Sequence, residues 1–169
     1  MPLFSHRTVL PPDVRVLLGM SKGDRVLAAA EITGGWAIAS RRALRVTGAD
    51  GEILRRPWAD VDRASLDPAT DTITVVWIDG GTLDLHLLDN RRPAFSRTLH
   101  ERVQASVVHR ETVRIPGGSQ VQVALRRDEH GELFSQLIGR GRVDLTDPTV
   151  AALVDAAEAR VRGAAGLPL

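Results

Sequence analysis

Between Arg25 and Leu87 apolar and polar residues alternate with a period of two, interrupted at short intervals by glycine, proline or an Asp-Gly pair. That pattern marks strands with one buried face. It predicts strands over Arg25–Ile32, Trp36–Ala39, Ala43–Thr47, Glu52–Arg56 and Arg63–Leu66, followed by the clearest two, Thr72–Ile78 and Thr82–Leu87. Gly34-Gly35, Ser40-Arg41-Arg42, Asp50-Gly51 and Asp79-Gly80-Gly81 supply the turns, the Asp-Gly pairs being strong hairpin signals. Pro57 breaks the run, and Trp58–Val61 follows as a turn that buries Trp58 and Val61. In the last strand Leu83, Leu85 and Leu87 share one side while Thr82, Asp84 and His86 share the other, as in a sheet hydrated on one face.

At Pro93 the period changes. Phe95, Leu99, Val103 and Val107 recur at helical spacing, predicting an amphipathic helix over Pro93–Val108 with one apolar stripe. Strand patterning returns at Thr112–Ile115, Gln120–Arg127 and Leu133–Ile138, with turns at Pro116-Gly117-Gly118 and Asp128-Glu129-His130-Gly131. A closing helix over Pro148–Arg162 carries Val150, Val154, Ala157 and Val161 on one side, with Asp147 as its cap and fraying expected from Gly163. Near the start, Asp13–Gly19 reads as a short helical turn behind Pro11-Pro12. The fold class is mainly β, with an α+β arrangement.

The totals fit that picture. The chain has 169 residues, 43% hydrophobic and 25% charged, enough for a sizeable core. A net charge of +1 provides no global attraction to nucleic acid or anionic lipid, so any such attraction must be a local patch. No cysteine is present, which removes disulfides, thiolate metal sites and a cysteine nucleophile. The N-terminal stretch is interrupted by His6, Arg7, Pro11, Pro12, Asp13 and Arg15, unlike a secretory or membrane-spanning segment, and a cytoplasmic location is expected. Lys22 is the single lysine beside 21 arginines. Such a bias is usual for a high-GC genome, actinobacterial for example, and weakens any functional reading of arginine over lysine.

The residues that carry chemistry are sparse. Arg41 and Arg42 in a predicted turn, and Arg45, Arg55 and Arg56 in the two strands that follow, form a candidate patch for an anion or a partner. The alternative is that they are the hydrated face of the sheet, neutralised by Asp50, Glu52, Asp60 and Asp62. No aromatic residues interleave with them, so a stacking platform for single-stranded nucleic acid is missing. Trp36, Trp58 and Trp77 sit among apolar neighbours as core or rim residues. Asp84 and His86 share a strand face, but two residues do not make a metal site. Ser135 lacks a nucleophile-elbow setting, and Gly139-Arg140-Gly141-Arg142 is too short for a phosphate loop. No cofactor, metal or catalytic residue is expected.

About seven short antiparallel strands followed by one amphipathic helix resembles the bacterial pleckstrin-homology-like domains of PH and GRAM type. Ile38-Ala39-Ser40-Arg41-Arg42-Ala43-Leu44-Arg45-Val46 matches the strand–Arg–strand step of that family, Gly51 its turn, and Trp58-Ala59-Asp60-Val61 its short "aromatic, x, Asp, Val" turn. The resemblance covers residues 21–108 and implies a curled β-barrel or sandwich plugged by the helix from Pro93. Residues 1–20 then form an N-terminal segment and 109–169 a βββα extension, whose small core should dock on the sheet, on a second copy or on another protein. In the lipid-binding relatives, basic residues flank the first inter-strand loop. That loop here is Thr33-Gly34-Gly35 and carries no cation, so inositol-lipid binding does not transfer. The expected role is a non-catalytic interaction module for a protein or peptide partner, with a homo-oligomer as one form of it. Binding of an anionic ligand, a membrane surface or nucleic acid through the arginines is the alternative; a third reading, an enzyme of unknown reaction, would need a deep polar pocket.

Overall fold

A computed structural model describes residues 9–89, 93–139 and 143–168. The positions of His6, Arg7 and Arg140–Arg142, considered above, lie outside the described residues. The described chain is mainly β, with 42% strand and 25% helix in three antiparallel sheets.

The first sheet has the order β1-β2-β3-β4, formed by Val26–Ile32 (β1), Gly35–Ser40 (β2), Ala43–Thr47 (β3) and Ile53–Pro57 (β4). Gly35 is required where β2 enters. A Cβ there would lie 1.9 Å from the carbonyl oxygen of Thr47, whose hydroxyl accepts the N–H of Trp36 at 3.0 Å. The β3–β4 turn relies on Gly51, at φ +83°, a conformation that disfavours side chains.

The second sheet has the order β5-β6-β7, formed by Val61–Asp67 (β5), Thr72–Trp77 (β6) and Thr82–His86 (β7). Its β5 starts earlier than the sequence pattern predicts, with a register shift between Val61 and Arg63. The two sheets do not close into a barrel. They meet at one side through the Ile32–Leu87 bridge and the bonds from Thr33 N–H to His86 O and from Leu88 N–H to Glu31 O. At the other side β4 ends on Pro57, which has no N–H to continue a ladder, and the chain turns through a 3-10 segment, Trp58–Asp60, into β5. Trp58 and Val61 are both buried there, as the sequence predicts.

Helix α2 (Ala94–Ser106) lies across the opening between the sheets and buries Phe95, Leu99 and Val103 against Ile32, Leu44, Trp58, Val75 and Leu85. Each such side chain contributes about 1.5–3 kcal/mol. The helix stops before Val107, which the spacing placed on the apolar stripe. The β-branched pair Val107-Val108 opens strand β8 (Val107–Arg114) with no loop between, because Val107 pairs with Arg126 of β9 (Gln120–Arg127). The third sheet has the order β10-β9-β8, with β10 at Leu133–Gly139.

One face of this third sheet buries Val113, Val121, Val123 and Leu125 under α3 (Pro148–Ala164), which supplies Val150, Val154, Ala157 and Val161. Asp147 caps α3 through the N–H groups of Thr149 and Val150. Its end does not fray at Gly163: Ala165 and Leu167 N–H groups bond the Arg162 carbonyl, and the Arg162 guanidinium bonds the carbonyl of Pro168. On the other face, Ala124 and Arg126 are fully buried, where the sheet packs on α2.

Helix α1 (Pro12–Leu17) covers the outer face of β1 and β2, and Leu10, Val14 and Leu18 bury Ala29 and Ile38. The first sheet is therefore covered on both faces along part of its length, which the alternation alone did not reveal.

Candidate functional site

The five arginines of the β2–β4 region do not form one patch. Arg45 is opposite Ile38 in the ladder, so it projects toward the same outer face, beneath the α1 segment. It is 5% exposed, paired with Asp24 at 3.2 Å and reaching the Leu18 carbonyl at 3.4 Å. The hydrated-face reading fails for this residue, because the segment from Leu10 to Asp24 covers it. Arg55 pairs with Glu129 of the β9–β10 turn. Arg56 lies 3.6 Å from Asp60 and 3.4 Å from Asp79, with its guanidinium 5.1 Å from the centre of the Trp77 ring. Of these five, Arg41 and Arg42 have side chains without a carboxylate partner among the described residues. Of the four carboxylates named as neutralising neighbours, Asp60 meets Arg56. Asp62 meets Arg63 and Arg110, and Asp50 accepts the N–H of Glu52 in its turn.

The other sequence candidates are accounted for by their contacts. Asp84 accepts from Thr74 at 2.7 Å and His86 bonds Thr72 at 2.9 Å, each pair directly opposite across the β6–β7 ladder. Trp58 and Trp77 are buried and Trp36 half-buried; the Trp58 indole donates to the Ser40 carbonyl. Among the described residues no three His, Asp or Glu side chains gather as a metal-binding group. No described helix is long and apolar enough to cross a membrane.

Two concave features stand out among the described residues, neither marked by a sequence motif. The first is a groove of about 360 Å³ between the free edge of β5 and α2. Ala64, Leu66, Ile73 and Leu99 give it an apolar floor, and Arg97 and His100 stand exposed on its helical rim. β5 is hydrogen-bonded to β6 on one side only, so beyond Val61, whose carbonyl Arg126 takes, its outer backbone N–H and C=O groups face no strand among the described residues. Its signal in the sequence was partial: the strand and the helix were predicted, but which strand is an edge is a property of topology.

The second is a smaller cleft of about 150 Å³ where three segments meet: the β2–β3 turn, α2 and the β9–β10 turn. Arg41 and Arg42 enter it from the first, Arg102 from the second, and Arg127, Asp128 and Glu129 from the third. Beneath its floor of Trp58 and Ser106 lies Arg126, fully buried. Arg126 Nη2 donates to the carbonyls of Trp58 (3.2 Å) and Val61 (2.7 Å) and to Ser106 Oγ (2.7 Å). Desolvation, then the charge of Arg110, pushes this guanidinium down to about 10, and Asp62 and Asp60 only partly oppose that.

Comparison of the chain with protein-family models, curated proteins and solved structures gives no match.

Proposed function

We propose that this protein is a non-catalytic interaction module of PH-like build that binds an extended segment of a protein partner along β5. Support for the PH-like reading comes from the order of elements: four strands, a 3-10 turn carrying Trp58-Ala59-Asp60, three strands, then α2 across the opening. The observation that carries the binding reading is the groove between the β5 edge and α2. An added strand would satisfy the outer backbone groups of β5 while one apolar side chain enters above Ala64, Ile73 and Leu99. Arg97 and His100 on the rim favour a carboxylate beside that apolar residue. Backbone pairing explains why so little of the mode shows as a motif: it depends on an edge and a pocket rather than on a fixed set of side chains.

The test is selection from a random peptide display library on the immobilised protein, repeated on Leu66→Arg. Enrichment of extended sequences with an apolar residue beside an acidic one, lost on Leu66→Arg, is the expected result. Absence of any enriched sequence, or equal capture by Leu66→Arg, would refute the reading.

A further inference from the structure

The small cleft has a chemistry distinct from the β5 groove. Four arginine residues border it together with two acidic ones, and both carboxylates are already engaged. Glu129 is held by Arg55. Asp128 Oδ1 accepts the N–H groups of His130 and Glu132 at 2.8 Å, which ties it into its own turn. Arg127 donates to the Gly131 carbonyl at 3.3 Å. Arg41, Arg42 and Arg102 have no carboxylate partner among the described residues. The Nε of Arg102 is buried and has no hydrogen-bond acceptor. A buried donor without a partner costs about 1–3 kcal/mol.

The backbone fixes where these cations stand. The Arg41 N–H bonds the Arg25 carbonyl at 2.9 Å and the Arg42 N–H bonds Asp24 at 3.1 Å, so the turn that carries both residues has a rigid base, with the Arg42 guanidinium beside Gly23. Arg102 follows Leu99 by three residues on α2, off the buried stripe, on the side toward the β9–β10 turn. Arg126 adds a further buried positive charge, bonded to Ser106 and to the Trp58 carbonyl, two residues of the cleft's own lining. Cations gathered in a partly enclosed recess are complementary to a compact oxyanion of high charge.

We propose that this cleft binds a phosphate group, as a phosphomonoester or diphosphate, with Arg41, Arg42 and Arg102 as its ligands. Because the walls come from β2–β3, α2 and the β9–β10 turn, a bound phosphate links the N-terminal sheets to the C-terminal unit and stabilises their junction. The group comes either from a soluble small molecule or from a lipid headgroup, and the recess is the same for both.

Inorganic pyrophosphate is the probe for the soluble source, by calorimetric titration at low ionic strength. Co-sedimentation with phosphatidylcholine vesicles containing phosphatidic acid is the probe for the lipid source. Wild-type protein is expected to bind at least one of them saturably. The affinity should fall at least about tenfold on Arg102→Gln and on Arg41→Gln combined with Arg42→Gln, as loss of charge-assisted bonds requires. Arg41 and Arg42 are on the surface turn, so their variants remain folded if Arg102→Gln does not. Leu66→Arg, in the other groove, should leave this binding unchanged, which separates the two sites. Binding to neither probe, or equal binding by the folded arginine variants, would overturn the assignment.

Discussion

Arg126 Nη2 lies 2.7 Å from the carbonyl oxygen of Val61, joining the middle strand of the C-terminal sheet to the first residue of β5. The guanidinium is fully buried and, among the described residues, makes no ion pair. Backbone carbonyls, a serine hydroxyl and the Gln136 side-chain oxygen hold it instead, so it joins two sheets by satisfying acceptors at the end of the 3-10 turn. Arg126→Ala leaves those acceptors unpaired beside a cavity and should destabilise by about 4 kcal/mol. All three tryptophans precede residue 109. Urea unfolding followed by tryptophan fluorescence and by far-ultraviolet circular dichroism should therefore coincide in the wild type and separate in the variant. A variant whose two curves still coincide, with an unshifted midpoint, would show that the arginine does not couple the units.

The Arg45–Asp24 pair distinguishes a covered sheet face from a hydrated one. Its side chains are 6% and 0% exposed. Asp24→Ala strands a buried guanidinium, and also removes acceptors for Ser40 Oγ and the Arg42 N–H. It should cost about 3–5 kcal/mol in denaturant unfolding. Arg41→Ala, a few residues away and exposed, should change stability by less than about 0.5 kcal/mol. Equal effects of the two would contradict the covered face.

Gly35 tests the close approach of β2 to Thr47. A Cβ 1.9 Å from a backbone oxygen cannot be accommodated by rotating a side chain. Gly35→Ala should therefore lower stability by about 3 kcal/mol through displacement of the β2–β3 ladder. At Gly163, where an added Cβ meets nothing within 4 Å, the same change should be neutral to stabilising, because alanine favours helix. Thermal unfolding of the two variants measures the contrast.

Glu111 and Arg160 give the third sheet and α3 a pH dependence. The Arg160 hydrogen bonds, at 2.9 and 3.0 Å from Nε, hold the Glu111 carboxyl below its ordinary value. A carboxyl lowered in the folded state contributes stability above its unfolded value of 4.5 and loses it as pH falls through the folded one. The melting temperature of the wild type should thus drop more steeply below pH 4.5 than that of Glu111→Gln. Parallel acid limbs in the two proteins would show that this pair adds nothing.

Much of the fold was legible because period and punctuation are local. Phe95, Leu99 and Val103 share a helix face by spacing alone, and Asp147 before Pro148 announces α3. The Trp58–Val61 turn was readable because Pro57 ends one strand and two apolar side chains follow. What was not legible depends on what covers each face. Arg45 stands at a polar phase of β3, but the residues that bury it lie some twenty positions earlier. Arg126 stands on the face of β9 away from α3, and only docking against α2 makes that face an interior. Arg102 follows Leu99 off the apolar stripe, where solvent was the natural reading. The candidate grooves needed topology as well: β5 is an edge only because β4 ends at Pro57 and does not pair with it.

Hydrogen exchange of the protein, free and saturated with a selected peptide, tests the binding of an extended segment along β5 most directly. The account predicts new protection confined to Val61–Asp67 and to the face of α2 around Arg97 and His100. Protection at β10 or β4 instead, with Val61–Asp67 unchanged, would contradict it.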